Sequence, residues 1–378
     1  MDALPLEVVE LVLCRVPEGD RAAIPSVCRR WRDIARRRRF SREVRLSFVV
    51  RTVPLLRWAA ACTPMDALSP KVCAAAAYGG HLDTLRWMRA RGYPWDADTC
   101  DRAAAGGHLG VLQWARDNGC PWNKNYMCAS AAAGGNLQVL LWVWRNDCTL
   151  DRGLWVWRND CTLDRGLCAM VAGRGHLDVL RWLCEMGCEV NSLACMYAAR
   201  NGHLEVLQWL LGQNCPWDEW ACASAAAGGH LDVLRWLREN GCPWSSGTCM
   251  YAARNGHLDV LRWARAEGCP WDETVCHSAA KAGRIKVLQW LRENGCPWDE
   301  MTCAWAAYSG HLGVLQWVCQ NGCQWSVRTC VYAALGGQLE VLQWLRSSGC
   351  PWNKRSCEQT AAINGKVAVL EWIQRAET

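Results

Sequence analysis

Twenty-six cysteines and eight histidines are the residues of this 378-residue chain best able to do chemistry. Thiolates and imidazoles at suitable spacing bind zinc, or act as nucleophile and base. Their order is regular: Cys242 follows a glycine, Cys249 comes seven positions later after a threonine, and His257 follows a glycine further on. Structural zinc sites use cysteines with about two to four residues between ligands, converging in fours. Cys184 and Cys188 have such spacing and are read as a solitary pair. The thiols therefore read as small buried side chains, cysteine being among the most buried residue types. No metal or cofactor is expected.

Catalysis finds less support. His277 is the one histidine outside the Gly-His positions, and its repeat holds no acid, thiol or hydroxyl arrangement that the others lack. Nucleophilic catalysis needs an oriented base and a third group, so His277 reads as a surface histidine. Glycine pairs such as Gly228 and Gly229 fall between two helical patterns rather than after a strand, which excludes a phosphate-binding loop. The chain is not expected to be an enzyme.

The elements that position these residues repeat. The cysteines opening each small-residue helix are Cys73, Cys100, Cys128, Cys168, Cys195, Cys222, Cys249, Cys276, Cys303, Cys330 and Cys357. Their intervals are 27, 28, 40 and then 27 seven times, which defines eleven units over 73–378. LWVWRNDCTLDRG at 141–153 is followed by the same thirteen residues at 154–166, and subtracting them restores the interval of 27. This is an internal duplication near 149–161, expected to protrude without breaking the stack.

One unit, TCMYAARNGHLDVLRWARAEGCPWDE from Thr248 to Glu273, shows the local physics. Cys249, Ala252 and Ala253 share a face of a short helix whose small side chains permit close packing. Gly256 ends it in a left-handed conformation, and a glycine holds that place in every unit. A second helix starts at Leu258 and turns Leu258, Val260, Leu261 and Trp263 inward, leaving Asp259, Arg262 and Arg265 for solvent. Gly268 stops it; Asn214 and Asp147 replace that glycine in two units.

The string GHLDVL at 175–180 and 229–234, with GHLEVL at 202–207, resembles the ankyrin repeat, as do the alanine pairs and the glycines. Ankyrin units have about 33 residues, so about six are missing, and the loss falls at the β-hairpin finger. The fold class is accordingly all-α: an N-terminal helical module, then a helix-turn-helix solenoid with short CPW loops. Such shortened units, rich in tryptophan and cysteine, also resemble those abundant in giant DNA viruses of amoebae. Residues 46–72 are expected to cap the stack, VPLLRWAAAC at 53–62 matching a second helix with Trp58 in the place of Trp87.

The first 45 residues belong to no repeat. Leu4-Pro5-Leu6-Glu7-Val8, then Leu11, Asp20 and Val27-Cys28-Arg29-Arg30-Trp31-Arg32 are similar in spacing to an F-box, although Pro25 and the small Ala22 and Ala23 depart from it. The resemblance implies docking on a Skp-type adaptor and a cullin ubiquitin ligase, with Leu4, Pro5, Val8, Leu11 and Trp31 carrying the contact or holding the motif's helices. The ankyrin resemblance implies a target protein on the concave face. There the first helices vary most from unit to unit, at Met196, Tyr197, Arg200, Met250, Tyr251, Arg254, His277, Lys281, Trp305, Tyr308 and Tyr332. Two other readings stand beside a ligase substrate receptor: a decoy that occupies the adaptor, and a plain scaffold with an N-terminal cap.

Composition agrees with an interaction protein. With 51% hydrophobic and 21% charged residues the chain can bury a core, and its charge of +6 is concentrated in Arg29, Arg30, Arg32 and Arg36 to Arg39. The N-terminus lacks a basic leader, its apolar stretch is broken by Glu7 and Glu10, and no run nears the roughly 18 apolar residues of a membrane span. A cytoplasmic setting is expected, host cytoplasm if the chain is viral, with the Arg36 to Arg39 run keeping the nucleus open. Thiols stay reduced there. Nucleic acid is the weaker partner class, because tryptophans such as Trp87, Trp114 and Trp344 recur at helix positions read as core rather than as stacking surfaces.

Overall fold

The computed structural model describes residues 50–53, 70–147 and 163–376. Those residues form 22 helices in eleven pairs and no strand, so the hairpin finger is absent from the described loops as the short unit length implies. The chain divides into two compact bodies, Met1–Thr149 and Leu150–Thr378, parted within the duplicated segment. Leu4, Pro5, Val8, Leu11, Trp31, the arginines up to Arg39, most of the expected cap with Trp58, and the insertion at 149–161 lie outside the described residues.

Most described units begin at a helix cap written in the turn before them. In CPWDE the residue after tryptophan is the N-cap: the carboxylate of Asp272 accepts from the Thr274 amide at 3.0 Å, and Asp218 and Asp299 do the same at 3.0 and 2.9 Å. Ser326 makes a full capping box with Thr329. The first helix that follows buries cysteine and alanine, as at Cys249, Ala252 and Ala253. Such small side chains let consecutive first helices pack directly on one another within each body, from Lys71–Tyr78 to Lys124–Ala133 and from Leu163–Gly173 to Lys354–Ile363. Second helices lie further apart, so the first-helix row is the tighter side.

The cysteines have a structural task. The CPW thiol donates to the backbone carbonyl of the N-cap residue 24 positions earlier, as Cys215 to Asn191 at 3.3 Å and Cys242 to Asp218 at 3.4 Å. The opening cysteine in turn meets the CPW cysteine of its own unit, Cys195 Sγ lying 3.5 Å from Cys215 Sγ. The functional partners are thus twenty residues apart, not seven or four. At Cys168 and Cys188 the same two positions form a disulfide, their Cα atoms 7.3 Å apart. This one pair departs from the expectation of reduced thiols; no other described cysteine is disulfide-bonded.

Between the helices of a pair the glycine adopts positive φ in all eleven units, from 63° at Gly365 to 87° at Gly256. Asn214, at 54°, is the one described non-glycine residue with positive φ, whereas Asp147 simply ends its helix. At Gly229 the reason exceeds local conformation. A Cβ there would lie 2.5 Å from the His257 ring. That ring reaches back to the preceding unit, where Nε2 donates to the Ala227 carbonyl at 3.2 Å; His203 does the same to Gly173 at 3.1 Å. Those carbonyls end a helix and lack an intrahelical partner. Where histidine is replaced, a donor remains: Asn136 to Ala104 at 2.9 Å, Arg284 to Arg254 at 3.2 Å and Gln338 to Tyr308 at 3.4 Å.

The tryptophans correct the sequence reading. Trp182 is buried, but Trp87, Trp114, Trp263 and Trp344 are only half-buried. Val260, Leu261 and Ala264 fill the narrow inner face of their helix, leaving the larger indole at its flank. There Trp263 meets Trp244 edge-on at 5.9 Å, and the Arg238 guanidinium lies 4.3 Å above Trp244. Arg265 likewise covers Trp271 at 4.3 Å while remaining exposed, as its position in the repeat implies. Each such cation–π pair contributes about 0.5–1 kcal/mol where exposed.

Substituting Gly229 with alanine is expected to destabilise the chain by more than about 1–2 kcal/mol, since it adds left-handed strain to a clash with His257. His257→Ala should cost about 1 kcal/mol and His257→Asn less, because the donor survives. Urea midpoints of the three variants check this order.

Candidate functional site

Seven of the residues expected to face a partner gather at one stretch of the first-helix row. Arg254 comes from Ser246–Asn255, His277 and Lys281 from Glu273–Lys281, Trp305 and Tyr308 from Glu300–Tyr308, and Tyr332 from Val327–Gly336. Tyr251 joins them one turn before Arg254, with its ring 6.3 Å from Trp220. The placement follows from the repeat: the first helices bury alanine and, except at the half-buried Cys128, cysteine on one side, so the remaining positions form the open face.

Arg254, His277, Lys281 and Trp305 line one cavity of about 210 Å³ together with Thr274 and Ser278. The Lys281 ammonium sits 4.2 Å above the Trp305 ring and 5.6 Å from that of Tyr308. Trp305, Tyr308 and Tyr332 meet edge to face, with centroids 5.3 to 6.5 Å apart. His277 is more enclosed than a surface histidine, its side chain 14% exposed, and its Nε2 lies 2.5 Å from Asp299 Oδ1. Aromatic and arginine side chains of this kind are the usual anchors of protein interfaces.

Met196, Tyr197 and Arg200 do not reach the cavity. They lie on Ser192–Arg200, separated from Ser246–Asn255 by the intervening first helix Glu219–Gly228. Met250 is half-buried on the same helix as Tyr251. Trp220, 50% exposed, and Tyr126, 64% exposed, escaped the sequence reading because they precede the opening cysteine by two positions, whereas the variation was sought after it. Thr274 and Ser278 escaped because small hydroxyls on a helix carry no signal of their own.

Elsewhere the chemistry is muted. Burial pushes the Cys73, Cys184 and Cys357 thiols up to about 11, well away from the thiolate form that nucleophiles and metal ligands require. In coupled pairs the partner's hydrogen bond acts with burial, as Cys269 raises Cys249. Cys319 and Cys323 share the four-residue spacing of Cys184 and Cys188, so that pair is not solitary in sequence; Cys303 lies beside Cys319 at 3.8 Å. Among the described residues no three or more Cys, His, Asp or Glu side chains converge as a metal site requires, and no helix is long and apolar enough to cross a membrane. Burial and the carboxylates of Asp98 and Asp96 raise Asp101 to about 6, on a first helix of the other body.

Two of the histidines that follow the left-handed glycines respond to pH. Burial lowers the pKa of His81 and His203 below the ordinary 6.5. The unfolded chain then binds more protons than the folded one, so stability is complete above about pH 6.5 and falls as the pH drops through the folded values. The thermal midpoint should decline between pH 7.5 and 5.5, and a His81→Asn, His203→Asn variant should show a flatter profile.

Comparison with known proteins matches this architecture. Residues 1–43 match the F-box domain family, and residues 166–246 and 249–329 match the family of ankyrin repeats (3 copies). Among solved structures, the human ASB11 ankyrin repeat domain is 19% identical, covering 49% of this chain and 97% of its own with a TM-score of 0.38. No curated protein matches the chain. The chain thus carries an F-box domain followed by ankyrin repeats, and its architecture is that of a protein-interaction adaptor.

Proposed function

We propose that this protein is a non-catalytic substrate receptor: residues 1–43 engage a Skp-type adaptor of a cullin ubiquitin ligase, and the first-helix row holds the target. The observation that carries the reading is the pairing of an F-box match at the head of the chain with an open row of aromatic and cationic side chains on its repeats. In the proposed organisation residues 1–45 are the plug, 46–72 cap the stack and the eleven units of 73–378 are the grip. Leu4, Pro5, Val8, Leu11 and Trp31 carry the adaptor contact or hold the helices that make it. A setting in the host cytoplasm of a viral infection rests on the resemblance of the shortened units alone.

Nucleic acid is disfavoured for a reason the fold supplies. Several tryptophan faces that would stack on bases are already covered by the protein's own arginines, as Arg116 lies 3.8 Å over Trp122 and Arg89 4.0 Å over Trp95.

Co-purification with a Skp-type adaptor tests the plug. Adaptor should bind the full chain and be lost from a Leu4→Ala, Pro5→Ala variant whose far-ultraviolet circular dichroism is unchanged; a full chain that never retains adaptor would leave only the scaffold. Replacing Tyr251, Arg254, Trp305 and Tyr308 together should abolish capture of the target while adaptor binding persists. Captured target that is never ubiquitinated would instead assign the decoy role.

A further inference from the structure

We infer that the cavity between Ser246–Asn255, Glu273–Lys281 and Glu300–Tyr308 holds a phosphorylated serine or threonine side chain of the target protein, an assignment that rests on the first-helix row being the target grip. Size sets the first limit. At about 210 Å³ the cavity falls below the roughly 300 Å³ at which drug-sized ligand pockets begin. It suits one side chain.

Charge sets the second. Arg254 and Lys281 both line the cavity, and neither has a carboxylate partner among the described residues. Three acids on the flanking turns and helices have other partners. Asp299 faces His277 and accepts from the Met301 amide at 2.9 Å; Asp272 accepts from the amide and hydroxyl of Thr274; Glu300 lies 3.6 Å from Arg328. Two unopposed cations remain on one small cavity. A carboxylate would neutralise one, whereas a phosphate monoester carries about −1.5 to −2 at pH 7 and three acceptor oxygens. Arg254 offers a planar fork for two of them, and the Ser278 side chain lines the same cavity.

Position sets the third. Along the row the column containing Arg254 reads Arg200, Ala227, Arg254, Lys281, Tyr308 at intervals of 27. Only at Arg254 and Lys281 do consecutive units in that span place cations side by side. Trp305 supports the second from below, holding the ammonium against an aromatic face while its protons stay available to an anion.

The probes are three fluorescein-labelled pools of short, sequence-randomised peptides with a fixed central phosphoserine, serine or glutamate, read by anisotropy against the full chain. The phosphoserine pool should bind about tenfold or more tighter than either other pool. Arg254→Gln and Lys281→Gln should each remove most of that difference, and Lys281→Arg should retain it. Equal binding of the serine pool, equal binding of the glutamate pool, or a phosphoserine preference unaffected by both glutamine variants overturns the assignment. Displacement of the phosphoserine pool by an oligouridine at equal affinity also overturns it, in favour of a nucleic-acid surface. Adaptor co-purification is independent of these outcomes, so loss of the phosphate site leaves the receptor reading standing, while loss of adaptor binding does not touch the site.

Discussion

The hydrogen bond by which units such as those of Asn136, His203, His257, Arg284 and Gln338 hold the helix end of the unit before them is the constraint on which the stack depends. A helix that stops after two or three turns exposes carbonyls at its C-terminus, and in a row of first helices those carbonyls recur at every unit. The side chain after the left-handed glycine reaches back about thirty residues to one of them, as His203 reaches Gly173. Three features follow. The glycine must lack a Cβ, the side chain must be a donor, and neighbouring units must keep a fixed spacing. The cysteine and alanine of the first helices meet the last requirement by permitting close approach. Histidine, asparagine, glutamine and arginine all serve as the donor, so the chemical role is kept where the residue type is not.

Much of this was legible in sequence. The interval of 27, the positive-φ glycines and the all-helical outcome could be read because each depends on residues close together in one unit. Asn214 was legible for the same reason. The tryptophans were misread because helical periodicity records which side of a helix is apolar, not how much room its neighbours leave; the inner face was filled by Val260, Leu261 and Ala264. The thiol pairs were missed because Cys195 and Cys215 meet across a unit, twenty residues apart, while the eye falls on spacings of four and seven. The donors that follow the left-handed glycines were not legible because their acceptors lie in another unit, as Gly173 does for His203.

The candidate site shows the same limit. Tyr251, Arg254, Trp305 and Tyr308 could be singled out by comparing units within the chain, since a repeat that must stack keeps its packing residues and varies the others. That comparison names a face. It does not name a cavity, which here needs Thr274, His277, Ser278 and Lys281 of one helix with Arg254 and Trp305 from the helices on either side. Nor does it reveal which charges are already paired, as Asp299 is with His277. Repeat proteins divide labour in this way: nearest-neighbour contacts fix the scaffold, and the positions released from packing carry recognition.

The central claim is that adaptor and target are held by separate parts of one chain. Hydrogen–deuterium exchange on the full chain, with and without a Skp-type adaptor, tests it most directly. Added protection should fall within residues 1–43 and leave the first helices between Ser192 and Gly336 at their unbound rates. Protection spread over those first helices would contradict the account, because the surface assigned to the target would then belong to the adaptor.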